Sequence, residues 1–186
     1  MRFGFPSAEA LGIAFRPCRD EDLPFLADLY ASTRAEEVAQ TGWPAEAQRE
    51  FLDQQFDAQH RHYRLHYPDA DWVLIARDGA AVGRVYIAER DNMLRLIDIA
   101  LLPASRGGGV GTAILTDLLR QAEALGLGIV IHVERYNPAR RLYDRLGFAF
   151  TADTGVYDRM EWRPAALDGN SPSSPPGAGT AAQDAG

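Results

Sequence analysis

Lysine is absent from this 186-residue chain, because all 19 of its basic residues are arginine. That absence excludes a P-loop lysine on a phosphate, a lysine Schiff base with pyridoxal phosphate, and the strand lysine of protein kinases. Cysteine is almost absent as well: Cys18 alone can form neither an internal disulfide nor a cysteine-based zinc cluster. We therefore expect a reducing, cytoplasmic setting and no metal site.

Long apolar runs are also missing. No segment approaches the roughly 18 apolar residues that a membrane span requires, and residues 1–15 lack the continuous apolar region of a secretory signal. The net charge of −7 disfavours a general nucleic-acid binder, which normally carries a basic surface, although it would suit a cationic small substrate. We expect neither a membrane nor a nucleic acid as a partner.

The residues that are present predict one folded domain. Hydrophobic residues make up 46% of the chain, which is ample for one core. We predict an N-terminal extension over residues 1–12, a folded domain over 13–164, and a disordered tail over 165–186, which is rich in Ala, Gly, Pro and Ser. The periodicity predicts the element order β-α-α-β-β-β-α-β-α-β-β, an α+β fold with a mixed sheet. Its third long strand, 93–102, is apolar enough in its later half to predict coverage on both faces.

A glycine-rich segment, Ser105–Thr112, reads SRGGGVGT and holds four glycines within five positions. It lies between a predicted strand and a predicted helix, where free N–H groups and the helix dipole favour an anion. It is not a Walker A loop, because lysine is missing, and it is not a G-x-G-x-x-G fingerprint, because Thr112 replaces the last glycine. A tight turn with glycines for close packing is the structural alternative.

Two segments together carry a resemblance to a known family. Residues 106–111, RGGGVG, fit the pattern R/Q-x-x-G-x-G/A, and residues 137–148, NPARRLYDRLGF, follow about thirty positions later. The pair resembles the acyl-CoA loop and the second signature of the GNAT superfamily of acetyl-CoA-dependent N-acetyltransferases. The resemblance implies a sandwich-like α+β fold, with a mixed, mostly antiparallel twisted sheet of about six or seven strands flanked by about four helices.

The resemblance also implies acetyl-CoA as the co-substrate and a set of residues that bind it. The loop amides would hold the pyrophosphate, the pantetheine arm would lie between two diverging central strands, and an N–H near Leu101 or Leu102 would polarise the thioester carbonyl. The implied donor-binding residues are Ile99, Ala100, Leu101, Leu102, Arg106, Gly107, Gly108, Gly109, Val110, Gly111, Thr112, Asn137, Ala139, Arg140 and Tyr143.

Candidate proton carriers follow from the same resemblance. Tyr143 occupies the usual position of the acid that protonates the leaving thiolate, although an aromatic packed on the sheet is the alternative. His132 matches a position where some members carry a catalytic glutamate; it could be the base directly or through water, or a hydrogen-bonded structural histidine. A water chain without a dedicated residue is a further alternative. Glu36 and Glu37 are other candidates for the base. The candidate substrate-binding residues are Glu36, Glu37, Asp98 and Glu134, although Asp98 could instead satisfy buried partners.

Other residues give weaker indications. His62 and His66 have the i, i+4 spacing of some metal sites but lack a third ligand, so a solvated or packed helix face is the better interpretation. Trp43, Tyr63 and Tyr67 could line an amine pocket, although aromatic stripes at helical spacing more often belong to a core.

The function predicted from the sequence is transfer of acetyl from acetyl-CoA to a primary amine of a small molecule, peptide or protein. The rival interpretations are a non-catalytic acyl-CoA-binding module on the same fold and, disfavoured by net acidity and the lack of lysine, a toxin acting on aminoacyl-tRNA. The acceptor is left open, and a homodimer is compatible with the resemblance.

Overall fold

The computed structural model describes residues 2–165. It contains five helices within that range: α1 (Pro6–Glu9), α2 (Leu23–Ala39), α3 (Ala45–His66), α4 (Val110–Leu125) and α5 (Arg140–Arg145). No helix of this described part is long and apolar enough to cross a membrane. The tail predicted over residues 165–186 lies outside the described residues, apart from residue 165.

Seven strands form one sheet in the order β1-β2-β3-β4-β5-β7-β6. Only β4 and β5 run parallel to each other, and all other neighbours are antiparallel. The strands are β1 (Ile13–Pro17), β2 (Asp71–Arg77), β3 (Ala80–Arg90), β4 (Met93–Leu101), β5 (Gly128–Glu134), β6 (Ala149–Asp153) and β7 (Tyr157–Trp162). The predicted α+β class, the strand count and the order of the strands and longer helices are confirmed.

Helix α1 was not expected from the sequence. It lies inside the stretch predicted to be an N-terminal extension, yet Phe3 and Phe5 are buried in the main core. The buried carboxylate of Asp117 on α4 accepts the Ser7 N–H at 2.8 Å and so caps the start of α1. A four-residue helix is too short to show helical periodicity, which is why the sequence pattern did not reveal it.

The two faces of the sheet carry different helices. On one face α1, α4 and α5 cover the larger core, to which α4 contributes Val110, Ile114, Leu118 and Ala122 at four-residue intervals. On the other face α2 and α3 form a smaller core around Leu26, Leu52 and Phe56. Because side chains alternate along a strand, Ile131 and Val133 of β5 face the larger core, whereas His132 and Glu134 face α2 and α3.

Strands β4 and β5 separate half-way along their length. Their pairing covers Met93–Leu96 with Gly128–Ile131 and does not continue beyond those residues. On its other side, β4 has a bulge at Ile97, because Tyr86 pairs with Asp98 and the next residue of β3 pairs with Leu96. The expectation that the later half of β4 is covered on both faces is therefore wrong: residues 97–101 are only partly buried, because they line the opening between the strands.

Candidate active site

The glycine loop joins β4 to α4. Gly107 and Gly109 both have φ +79°, a conformation that side-chain-bearing residues rarely adopt. Gly109 is the residue before the first turn of α4, and no side chain caps that helix end. The first amides of an α-helix lack partners within the helix, so α4 offers N–H groups and the positive end of its dipole to an anion.

The other two glycines have no internal reason to be glycine. A Cβ atom added to Gly108 or Gly111 would meet nothing within 4 Å, and neither residue has positive φ. Close packing within the chain therefore does not explain them, and the tight-turn alternative accounts for only part of the loop. Bare backbone facing open space is what close approach of a phosphate group requires, so the loop fits the pyrophosphate of a coenzyme A donor.

At the outer end of β4, the amides point alternately towards β3 and into the gap between the strands. Leu102 donates its N–H to the Val82 carbonyl at 2.8 Å, so the Leu102 amide is not available to a substrate. Because N–H groups alternate sides along an antiparallel strand, the Leu101 N–H points away from β3 and towards the gap. Of the two predicted positions for an oxyanion donor, the geometry therefore favours Leu101. Its carbonyl accepts a hydrogen bond from Arg106 Nε at 2.8 Å.

Two cavities meet at this gap. The smaller, of about 200 Å³, reaches from Tyr143 and Asn137 through the separated strands to Asp98 on the α2–α3 side of the sheet. The larger, of about 660 Å³, lies under α2 and α3. Both volumes share a wall that includes His132 and Tyr63. The gap in the sheet is thus a passage between its two faces.

Tyr143 lies on the α5 side of this passage. The side chain is 7% exposed and packs edge-on against Phe148, with ring centroids 5.7 Å apart. Burial, with a smaller contribution from the negative charge of Asp98, raises the pKa of the phenol. Tyr143 therefore keeps its proton at neutral pH, as a proton donor must. The packing alternative and the acid role are both compatible with this position.

His132 lies where the two cavities meet and is accessible to solvent. Burial of the ring, together with the positive charges of Arg95 and Arg159, lowers the pKa of the imidazole below its ordinary value of 6.5. The ring is therefore neutral near pH 7 and can accept a proton. No hydrogen bond within residues 2–165 holds the His132 ring, so the structural-histidine alternative has no contact to support it.

Three of the predicted acidic residues differ sharply in their surroundings. Glu134 accepts two hydrogen bonds from Arg34 of α2, one of them at 3.1 Å. Glu37 pairs with the same guanidinium at 3.2 Å. Glu36 is exposed and lines neither cavity. Arg34 thus pairs with two of the predicted substrate ligands and links α2 to β5 across the opening, so both carboxylates have partners within the chain.

Asp98 is also paired. Its carboxylate lies 2.7 Å from Nη2 of Arg84, which is only 3% exposed and also donates to Gln59 of α3 at 2.8 Å. A buried arginine without a partner is strongly destabilising, so Asp98 balances a charge that the sheet carries into its interior. Its predicted role in binding a cation directly is weakened by this pairing, although Asp98 still lines the smaller cavity.

The segment before α5 is held by its own contacts. The side chain of Asn137 accepts the Ala139 N–H at 2.9 Å, which fixes the turn into the helix. Arg140, predicted to bind the donor, forms a close ion pair with the buried Asp158 of β7 instead. Its guanidinium is therefore used within the chain, and Asn137, Ala139 and Tyr143 are the residues of this segment that remain candidates for donor contact.

The weaker candidates separate into two groups. Tyr63 and Tyr67 line the larger cavity, whereas Trp43 is exposed, packs on Phe51 and does not reach that wall. The rings of His62 and His66 stack at 4.1 Å. Within the part of the chain that the structure describes, no group of three or more His, Cys, Asp or Glu residues could hold a metal ion. Burial raises the pKa of the Cys18 thiol to about 11, which makes it a poor nucleophile.

Several residues of the site gave no signal in the sequence. Arg34, Gln59 and Arg84 come from three different elements and meet only through the packing of α2 and α3 on the sheet. Arg95 of β4 sits in an apolar run like that of Asp98, and this polar interruption of a buried strand was the one signal available.

A family comparison agrees with this geometry. A model of the acetyltransferase (GNAT) family matches residues 28–148. The matched range includes the glycine loop, both separated strands and α5. The chain belongs to the GNAT acetyltransferase family. The separated strands and the glycine loop are therefore elements of a GNAT domain, and the resemblance inferred from two short segments is confirmed.

Solved structures share the GNAT fold. The PaiA N-acetyltransferase from Thermoplasma acidophilum, solved in complex with coenzyme A, has a TM-score of 0.61 over 81% of this chain and 98% of that chain, at 16% identity. The ribosomal-protein-S18-alanine N-acetyltransferase from Escherichia coli has a TM-score of 0.51 over 80% and 90% of the two chains, at 19% identity. At these identities the likeness concerns the fold alone.

A curated relative is similar over part of its length. Mycothiol acetyltransferase from Streptomyces avermitilis is 32% identical over 99 residues, which are 51% of this chain and 32% of that protein. The chain thus spans about a third of the relative that it matches, and its acceptor does not follow from that name.

Proposed function

We propose that this GNAT protein is an N-acetyltransferase of the cytoplasm that transfers the acetyl group of acetyl-CoA directly to a primary amine. The observation that carries the proposal is the passage through the sheet. It connects Tyr143 on one face with His132 on the other, and the loop that follows β4 contains two glycines, Gly108 and Gly111, that the packing and backbone angles of the chain do not explain.

The donor would lie on the side of α4 and α5. Acetyl-CoA supplies an activated thioester, and the loop at Gly107–Gly111 would bind its pyrophosphate through backbone N–H groups. The unpaired outer edge of β4 would pair with the pantetheine arm as an added strand would. The Leu101 N–H would then donate to the thioester oxygen, where negative charge develops during attack.

Two side chains would carry the protons. A primary amine is mostly protonated at neutral pH, so it must lose a proton before its nitrogen can attack the carbonyl carbon. His132, neutral and at the junction of the cavities, would accept that proton directly or through water. As the carbon–sulfur bond breaks, Tyr143 would give its phenolic proton to the sulfur. The products would be an amide and a free thiol.

The test combines binding and turnover. We expect acetyl-CoA to raise the melting temperature of the protein, and we expect thiol release when amines are added, with an acetylated product seen by mass spectrometry. The panel should include polyamines, amino acids, peptide N-termini and unacetylated mycothiol, the last because of the curated relative. Stabilisation without thiol release on any amine would instead identify a binding module. Absence of stabilisation by any acyl-CoA would disprove the donor assignment.

A further inference from the structure

One of the charged side chains that line the larger cavity lacks a partner of opposite charge. The chain as a whole carries −7, but the permanently charged residues that line this cavity are two arginines, Arg34 and Arg95, against one glutamate, Glu37. Glu37 is already paired with Arg34. Arg34 also pairs with Glu134, on the wall of the smaller cavity, so Arg95 is the charged side chain lining the larger cavity that has no partner of opposite charge within residues 2–165.

Arg95 carries the unpaired charge. Its Nε is buried and has no hydrogen-bond partner, and its guanidinium faces the Tyr67 ring with 6.0 Å from carbon to centroid. No carboxylate within residues 2–165 lies within ion-pair distance of it. The other arginines that line the cavities, Arg34 and Arg84, both have carboxylate partners. Arg95 is partly buried on the cavity wall and its charge has no carboxylate partner, so it is available to bind an anionic group of a ligand.

The rest of the wall indicates the body of the ligand. Aromatic rings come from α2, α3 and β7, and aliphatic side chains come from β4; the rings are those of Tyr30, Phe51, Tyr63, Tyr67 and Tyr157. A volume of about 660 Å³ falls in the range of small-molecule sites, and the wall of this cavity combines the aromatic rings with polar side chains such as Gln55, Gln59 and His62.

We propose that the acceptor is a small amine that also carries a carboxylate and an apolar body, and that Arg95 binds the carboxylate. This inference rests on the proposed function, because it names the acceptor for the same site. A guanidinium matches a carboxylate with two parallel hydrogen bonds, which a neutral amine cannot offer. The carboxylate would pair with the guanidinium of Arg95, and the apolar body would lie on the tyrosines.

The experiment compares three amines with one aromatic body: phenylalanine, phenylalaninamide and phenethylamine. Thiol release gives kcat/KM for each with the wild-type protein, Arg95→Gln and Arg90→Gln. Arg90 is an exposed arginine at the end of β3, outside both cavities, and serves as the control. For each amine we compare the kcat/KM of the wild type with that of the variant. This ratio does not depend on the different basicities of the three compounds.

We expect Arg95→Gln to lower kcat/KM for phenylalanine by about tenfold or more, mainly through KM, as the loss of a charge-assisted hydrogen bond predicts. The two neutral amines should lose far less, and Arg90→Gln should leave all three unchanged. Equal losses for all three amines, or a wild-type protein that prefers the neutral ones, would overturn the inference. A phosphonate analogue that outperforms phenylalanine would also overturn it, because the anion would then be a phosphate type.

Failure of this inference can be told apart from failure of the proposed function. If acetyl-CoA neither binds nor releases thiol, the proposed function is wrong. If acetyl-CoA stabilises the protein but no amine reacts, calorimetry measures the binding of phenylalanine and phenethylamine to the wild type and to Arg95→Gln. Binding of phenylalanine alone, lost in the variant, supports the inference; equal binding of the two, or none, contradicts it.

Discussion

The two sides of the sheet form their parts of the site in different ways. On the α4–α5 side the candidate donor site is mostly backbone: the loop Gly107–Gly111 and the unpaired edge of β4 are close in sequence. On the α2–α3 side the candidate acceptor site consists of side chains that lie far apart in sequence. Arg34 and Glu134, for instance, are 100 residues apart and meet only in the folded protein.

This difference separates what a short motif can specify from what it cannot. A site made of backbone amides requires glycine at particular positions, because glycine has no side chain to block the amides. Such a site therefore produces a short motif of neighbouring residues in the sequence. A side-chain site needs only that charges and rings converge, and many combinations of residues achieve that. The donor side is therefore the side that the family resemblance describes, whereas the resemblance does not specify the acceptor side.

The largest effect is expected at Tyr143. Tyr143→Phe removes the proton donor but keeps the ring that packs on Phe148. We expect kcat to fall about 10³-fold, in the usual range for general acid catalysis, while the Kd of acetyl-CoA changes little. Steady-state kinetics and calorimetry measure the two quantities.

Tyr136 provides the control for that variant, because it is 91% exposed and lies in the loop before α5. Tyr136→Phe should leave both kcat and Kd unchanged. If the Tyr143→Phe protein keeps the full kcat, Tyr143 has only a packing role. The donor side of the sheet would then supply no proton donor.

A second, smaller effect is expected at Gly111. Gly111→Leu places a side chain where the structure has open space, so the fold tolerates it, and leucine favours a helix over glycine by up to about 1 kcal/mol. The donor-free protein should be at least as stable as the wild type. The KM for acetyl-CoA should rise by about 100-fold, which corresponds to roughly 2.7 kcal/mol of lost binding.

Thermal unfolding without acetyl-CoA measures the stability of the Gly111→Leu protein, and the shift on adding acetyl-CoA reports its binding of the donor. Gly4→Leu is the matched control, since a Cβ at Gly4 also meets nothing within 4 Å but lies on the N-terminal segment. If Gly111→Leu keeps the wild-type shift on acetyl-CoA addition, the loop does not bind the donor.

The smallest effect is expected on the acceptor side, at His132. Because its pKa is lowered below 6.5 by burial, Arg95 and Arg159, His132 becomes protonated, and inactive as a base, only as the pH falls through that lowered value. The pH profile of kcat/KM should show this acidic limb in the wild type and lose it in His132→Gln. At pH 7.5 the variant should lose only about tenfold, less than a typical general base provides, because water in the larger cavity can relay the proton.

The variant Arg95→Gln provides a second test of the pH profile of kcat/KM. Removing that positive charge takes away one cause of the lowered pKa of His132, so the acidic limb should move to higher pH. The ionisation of the amine itself appears equally in all three proteins and serves as the internal reference. An unchanged profile in His132→Gln would assign the base to water.

Sequence reasoning predicted the elements that local pattern determines. The order of the strands and longer helices follows from hydrophobic periodicity, and the glycine-rich segment marks the start of α4. The separation of β4 and β5 followed from the family resemblance and is seen in the strand pairing. These features depend on neighbours within a few residues, or on a motif that other proteins share.

Features that depend on distant contacts were not predicted. The bulge at Ile97 and the ion pair of Arg84 with Asp98 require knowledge of which strands pair and in which register. The pairing of Arg140, a predicted donor ligand, with Asp158 likewise depends on a contact between α5 and β7. Residue type alone does not distinguish a charge that binds a ligand from one that is neutralised inside the fold.

The separation of β4 from β5 has one more consequence. Sheet edges normally lie at the periphery, where charges and bulges protect them from pairing with other chains. Strand β4 is paired on both sides over Met93–Leu96. Its next residues are unpaired on the side of β5, so they form an open edge in the middle of the sheet. If the donor pairs with that edge, it also shields a site where another polypeptide could add a strand. Donor supply would then affect the solubility of the protein as well as its turnover.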